Sequence, residues 1–212
     1  MARRARVRQH KNPFSFREEI AVPAWAELLK SPELPWEVDV GTAHGDFLLA
    51  RAAQCPTVNV IGLEIRELMV ERVLRKLERS GLKNASVIYC NANQSFSEFF
   101  PPGRLSRVYV YFPDPWFKKK HHKRRVLNPG FVDELARTLR AGGELHFMSD
   151  HEGYALDTCE LLEAHPAFEN PHGAHARAPR DPDLPASHRE AWHETKGDPI
   201  YRHVWRRLEG SA

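Results

Sequence analysis

Cysteine is scarce, three in 212 residues, and the three (Cys55, Cys90 and Cys159) are odd in number and far apart, with no C-x-x-C. That spacing excludes a disulfide framework and a cysteine-built zinc site, and it points to a reducing, cytosolic compartment. No apolar run approaches the ~20 residues of a membrane span. The first eleven residues carry five cations but no apolar segment behind them, so no secretory signal is expected, and the expected location is cytoplasmic. The dinucleotide fingerprint G-x-G-x-x-G is absent, which argues against a pyrophosphate site. Internal repeats are absent too.

What is present is an ordinary globular balance, 42% hydrophobic and 28% charged, enough for one domain with a real core. The net charge of +3 conceals a strong segregation. Residues 1–11 hold five positive charges, and Lys118-Lys119-Lys120-His121-His122-Lys123-Arg124-Arg125 holds six; neither segment has an acid. Without these eleven cations the remainder stands at −8. Two basic segments on an acidic body suit a polyanion such as nucleic acid, although each alone also reads as solvated surface. The organisation expected is a basic arm over residues 1–22 and a single domain over 23–212.

Short β-branched and aromatic runs alternate with helical patterns from Trp36 onward. Trp36–Val40, Val58–Leu63, Ala85–Cys90, Val108–Phe112 and Glu144–Met148 read as strands, and Ile200–Arg207 as a final one. Ile65, Met69, Val73 and Leu77 repeat at helical spacing with Gly81 at the stop position. Asn128-Pro129 forms a cap and first turn for a helix through Leu139, which Gly142-Gly143 is expected to close. Trp25 is expected to pack a preceding helix onto the sheet, and Cys90 and Cys159 to be small core residues. Residues 166–199 hold six of the sixteen prolines and four of the twelve histidines and read as an irregular excursion. This alternation predicts an α/β fold, a doubly wound and mostly parallel, Rossmann-like sheet with ligands at the carboxyl ends of its strands.

Polar residues collect at those ends. Gly41-Thr42-Ala43-His44-Gly45-Asp46 is a small-residue turn that lets a ligand approach the backbone. Asp39 lies inside an apolar strand, where an unpaired carboxylate is costly, so it meets either a ligand cation or loop amides. Glu64 is placed either to accept from both hydroxyls of a ribose or to start a helix as an N-terminal acid. Asn91 reads as a contact to an adenine edge or as a turn residue. Asp114 sits between Pro113 and Pro115, which stiffen its backbone. Trp116 offers a face for base stacking or packing, and the basic run follows it. His121-His122 and His172-Gly173-Ala174-His175 lack a complementary carboxylate or cysteine arrangement for a metal and read as structural or surface residues, so no metal is expected.

The stretch Phe112-Pro113-Asp114-Pro115-Trp116-Phe117-Lys118 through Arg125 closely resembles the signature of the TrmB-type tRNA (guanine-N7-)-methyltransferases. The resemblance runs from Asp39 to about Trp205 and includes Gly62-Leu63-Glu64-Ile65, Asn91-Ala92, Ser149-Asp150 and Gly197-Asp198-Pro199-Ile200-Tyr201-Arg202. It implies a class I S-adenosylmethionine-dependent methyltransferase fold. It further implies methyl transfer to N7 of guanine 46 in the tRNA variable loop. Cofactor contacts are implied at Asp39, Gly41, Glu64, Asn91 and Asp114, and tRNA or guanine contacts at Lys118, Asp150, Ser187 and Glu190. The family usually has Glu at Asp39, Gly at Ala43, Thr at Ser187 and, in some members, Asp at Asn91. None of these departures removes a needed functional group. Guanine N7 carries a lone pair and no proton, so positioning and the Asp114 charge, rather than a general base, are expected to drive the step. A catalytically silent RNA-binding relative and a nicotinamide oxidoreductase are the competing readings.

Overall fold

The short apolar runs become strands in the computed structural model, which describes residues 11–210. The residues 1–10 of the basic arm lie outside the described residues. A one-turn helix α1 (Trp25–Leu28) precedes the alternation of β1 (Trp36–Val40), α2 (Asp46–Gln54), β2 (Asn59–Glu64), α3 (Glu67–Ser80), β3 (Ala85–Tyr89), α4 (Ala92–Phe99), β4 (Leu105–Tyr111), α5 (Pro129–Thr138), β5 (Leu139–Ser149) and α6 (Glu152–Glu163). Then come β6 (Phe168–Glu169), α7 (His188–Lys196) and β7 (Tyr201–Arg207).

The sheet order is β3-β2-β1-β4-β5-β7-β6. Strands β1 to β5 pair in parallel, and β7 inserts antiparallel between β5 and β6. The doubly wound, mostly parallel sheet is therefore what forms. Chain order reverses between β1 and β4, and in such sheets the crevice outside that reversal is where ligands bind.

Alternate strand residues face opposite layers. On one face Val38, Val40, Val108, Val110, Leu145 and Phe147 pack with Phe96, Phe131 and Leu135 of α4 and α5 and with Tyr154 and Cys159 of α6. On the other, Val60 and Val87 pack with Leu48 of α2 and with Val70, Val73 and Leu77 of α3. Trp25 stacks on Phe100 at 5.8 Å and tilts against Trp36 at 4.9 Å, which docks α1 as expected. Gly81 ends α3 in the left-handed conformation, φ +69°, and Asn128 caps α5 by accepting from the Phe131 N–H.

Two expectations change. Helix α5 stops at Thr138, not at the glycine pair, which lies inside β5. There the strand bends past a register shift against β4. A Cβ on Gly143 would come within 2.9 Å of the Arg140 carbonyl, so the glycine serves a close backbone approach rather than a helix stop. The excursion at 166–199 is also less irregular than its prolines suggest, since it contains β6 and the nine-residue α7.

Candidate active site

The carboxyl ends of β1 to β5 open into one cleft of about 950 Å³. Its walls bring together Asp39, Gly41, Glu64, Asn91, Asp114, Asp150 and Ser187, which are scattered over 149 positions of sequence. Lys118 and Glu190 are not among the lining residues.

The turn after β1 is held against β2. The N–H groups of Gly41 and Thr42 both donate to the Leu63 carbonyl, at 2.8 and 3.2 Å. Gly41 and Gly45 have φ of +82° and +74°. A Cβ at Gly45 would strike Val73 at 2.8 Å, so glycine is needed there for both conformation and space. Thr42 Oγ1 donates to Asp39 Oδ2 at 2.7 Å. The loop thus meets the carboxylate with a side-chain hydroxyl, a partner the sequence reading did not name beside a ligand cation or loop amides. Burial nonetheless pushes Asp39 up to about 7, against the Thr42 hydrogen bond and with the Glu64 charge adding.

Glu64, buried at the end of β2, accepts from the Ala43 N–H at 2.9 Å and the Arg66 N–H at 2.9 Å. The Arg66 guanidinium also covers it, Nε to Oε1 at 2.8 Å and Nη2 to Oε2 at 2.9 Å. Glu64 thus faces the cleft while its carboxylate holds the residue that leads into α3, whose N-terminus has no side-chain cap of its own. Asn91 caps α4 by accepting from the Asn93 N–H at 3.2 Å, and its Nδ2 donates to the Pro13 carbonyl at 3.1 Å. That bond ties the N-terminal segment across the end of β3, where Lys11 and Pro13 join the cleft wall.

The turn after β4 is strained at both ends. Phe112 and Trp116 adopt φ of 49° and 47°, unfavourable for side chains of that bulk. Pro113 and Pro115 stiffen the segment between them, and Arg125 fixes its back: Nε donates to the Pro115 carbonyl at 2.8 Å and Nη1 to Asp157 at 2.6 Å. Asp114 is thereby held on the cleft wall. The basic run consequently divides. Arg125 is buried, and Arg124 lies over the Trp116 ring at 5.0 Å, so one face of that indole is occupied. Lys118, Lys119, Lys120 and Lys123 stand exposed.

Across the cleft, α7 presents His188, Arg189 and Trp192 to the same wall. Ser187 and Glu190 form its capping box: the serine Oγ accepts from the Glu190 N–H, and the glutamate accepts from the Ser187 N–H. Glu190 is buried and paired with Arg202 at 2.9 Å. Its carboxylate caps the helix and neutralises Arg202, and it is not part of the cleft wall, so the substrate contact expected of it has no direct counterpart among the lining residues. Asp150 faces the cleft with Arg189 Nη2 at 2.8 Å and His193 Nε2 at 3.3 Å. Burial raises Asp150, but the Arg189 hydrogen bond and charge outweigh it and hold the carboxyl below its ordinary value.

The motif reading did not find Arg66, Arg189 or Trp192. Trp192 is 47% exposed and Phe117 73%, yet both line the cleft. An aromatic left in water at a cavity mouth is the signal that identifies them, and it needs the fold to place it.

Residues 33–203 match the methyltransferase family model Methyltransf_4. Over 210 residues the chain is 38% identical to a tRNA (guanine-N(7)-)-methyltransferase of Trichormus variabilis, covering 96% of each protein. It is 40% identical over 169 residues to one from Synechococcus sp. strain JA-2-3B'a(2-13), covering 79% of this chain and 71% of that one. The structure of a SAM dependent methyltransferase from Aquifex aeolicus is similar in fold, with a TM-score of 0.55 at 16% identity over 88% of this chain and 94% of that one.

Proposed function

We infer the chemistry of this cleft from a premise the comparisons establish: the chain belongs to the TrmB-type tRNA (guanine-N7-)-methyltransferase family. It transfers a methyl group from S-adenosylmethionine to N7 of a guanine in tRNA. The acceptor we assign is guanine 46 of the variable loop, in a cytoplasmic setting. Among the described residues no helix is long and apolar enough to cross a membrane.

The cleft suits the donor. When bound, S-adenosylmethionine supplies an electrophilic methyl on a sulfonium. Asp39 is an underneutralised buried acid that complements that cation or the amino group beside it. The Gly41 to Gly45 turn gives the close approach, and Glu64 accepts from the ribose hydroxyls once the Arg66 guanidinium swings aside. Asn91, already committed to capping α4, borders the adenine end and presents the backbone there rather than a free amide.

Asp114 and Asp150 hold the guanine and stabilise the positive charge that develops on its ring. No general base is required, because N7 has no proton to lose. Phe117 and Trp192 stack the extruded base or its neighbour. Lys118, Lys119, Lys120 and Lys123, with the basic arm, grip phosphates. Ser187 and Glu190 act by positioning α7, which carries Arg189 and Trp192 to the rim.

The observation that carries this reading is the convergence of four acids from four strand ends on one cleft beside the exposed lysines. Incubation with labelled cofactor and unmodified tRNA, followed by digestion, should yield 7-methylguanosine, and replacing G46 in the transcript should abolish it. Asp114→Asn should lower the single-turnover rate by about 10²-fold or more, as loss of a transition-state electrostatic contact does. A full rate in that variant removes Asp114 from the reaction.

A further inference from the structure

Away from the cleft, three metal-ligating side chains meet that no part of methyl transfer uses. Cys159 and Glu163 are one turn apart on α6, hence on one face of that helix. The Pro/His-rich loop after β6 folds back on them at His175. Its backbone N–H donates to Glu163 Oε1 at 2.6 Å, and its Nε2 lies 3.4 Å from Oε2. The Cys159 sulfur, a Glu163 oxygen and a His175 ring nitrogen all lie within 4.8 Å of one another. From β7, His203 Nδ1 approaches the same sulfur at 3.3 Å and the Ala176 carbonyl at 3.1 Å. His175 holds a left-handed backbone, φ 53°, in making this approach.

We propose that Cys159, Glu163 and His175 form a binding site for a zinc-like divalent transition ion, with His203 supporting the sulfur from behind. One thiolate, one imidazole and one carboxylate make a borderline-soft donor set. That set suits zinc or cobalt and disfavours calcium or magnesium, which require oxygen ligands. Around a tetrahedral ion the ligating atoms stand about 3.3–3.6 Å apart. The His175 side chain is 54% exposed and free to close the remaining distance. His203 Nδ1–H, shared between the Ala176 carbonyl and the sulfur, supplies the outer hydrogen bond that coordinated thiolates use.

Without metal, Cys159 is an inert thiol: burial, chiefly, with the Glu163 and Glu160 charges, pushes it up to about 12. On binding, the S–H bond breaks as the sulfur–metal bond forms, and the proton leaves to solvent. The ion would clamp the loop to α6 and β7 just upstream of the segment leading to α7. Its effect is therefore expected on stability and not on the methyl-transfer step.

The structure does bring a cysteine and a carboxylate to His175, an arrangement the sequence reading of His172 to His175 did not find. Those partners sit twelve and sixteen residues upstream on α6, so no local spacing motif announces them.

The test uses the full chain without a histidine tag, dialysed against chelator and titrated with Zn²⁺ against a chromophoric competitor. A parallel titration with Co²⁺ monitors thiolate-to-cobalt absorption. One equivalent per chain is expected, with a raised Tm and a cobalt–thiolate band that Cys159→Ala removes. His175→Ala, at an exposed position that leaves the core intact, should weaken binding by roughly 100-fold or more, beyond the usual loss for an outer-shell partner. It should retain methyl transfer. Binding in the wild type no tighter than in the Cys159→Ala/His175→Ala double variant overturns the proposal. So does an adventitious ion only, meaning stoichiometric binding that survives His175→Ala and Glu163→Gln unchanged.

Discussion

Two buried acids stand two residues apart on the same face of β1, and the chain treats them oppositely. Glu37, deep in the strand, receives Arg51 Nε and Nη2, each at 2.7 Å, and the Tyr109 hydroxyl at 2.8 Å. Asp39, at the mouth, receives one threonine hydroxyl and is driven up to about 7 by its burial. Both are almost fully covered, at 2% and 4% exposure, so burial does not separate them. The separation lies in who supplies the neutralising charge. Where the chain supplies it in bidentate form the acid is structural; where it withholds it, the acid is left for the cation we propose from outside.

Breaking the structural acid should give the larger effect. Arg51→Ala leaves Glu37 buried with only the tyrosine, and loss of one partner of a buried pair costs about 3–5 kcal/mol. Urea denaturation should show that loss. A cost below about 1 kcal/mol would mean that water reaches Glu37 and that the two acids are alike.

Asp39 should respond in the reverse sense. Folding raises Asp39 from 3.8 to about 7, so the folded chain holds a proton that the unfolded chain releases. Its contribution to stability is full below the ordinary carboxylate range and is lost as pH rises through about 7. Asp39→Asn, which can still accept from Thr42, should therefore raise Tm at pH 8 and change it little near pH 4. The same variant should weaken S-adenosylmethionine by roughly 10- to 100-fold, the ~1.5–3 kcal/mol of a hydrogen bond to a charged group. In the wild type the cofactor should bind more tightly as pH rises from 5.5 to 8, and the variant should lose that dependence. Calorimetry that finds the two chains parallel across this range would make Asp39 a loop residue and not a ligand.

This contrast also marks how far the residues could be read without coordinates. Asp39 was legible because an acid in an apolar strand is costly wherever the strand lies. Glu37 occupies the same strand and gives the same signal, but its partners Arg51 and Tyr109 are 14 and 72 residues away. Pattern alone could not tell which of the two acids the chain itself neutralises. The β-α alternation was legible because strand and helix periods are local. The glycine pair in β5 misled because Gly-Gly after a helical run matches a helix stop, while the actual constraint at Gly143 is backbone crowding, with the Arg140 carbonyl 2.9 Å and the Leu105 carbonyl of a neighbouring strand 3.2 Å from where a Cβ would be. Lys118 to Arg125 read as one basic run, yet Arg125 turns inward to hold the Pro115 carbonyl, a role visible only once the turn is folded.

Glu64 is the intermediate case. It is buried like the other two, at 3% exposure, and its guanidinium partner is bidentate like that of Glu37. But Arg66 is only two residues away, at the cleft wall, and its side chain is 22% exposed where Arg51 is 9%. The Glu64 hydrogen bonds first, then the charges of Glu64 and Asp114, keep Arg66 protonated against its burial. A partner so placed can leave without opening the core. We read it as a stand-in that neutralises Glu64 until ribose hydroxyls replace it. The exchange trades one set of hydrogen bonds for another, so its net effect should be small, within the ~0–1 kcal/mol of a partly exposed ion pair. Arg66→Ala should then tighten S-adenosylmethionine about two- to fivefold while lowering the Tm of the cofactor-free chain slightly. Affinity that instead falls tenfold or more would show that the guanidinium stays to contact the cofactor, and Glu64 would join Glu37 as an acid whose neutralising partner is permanent.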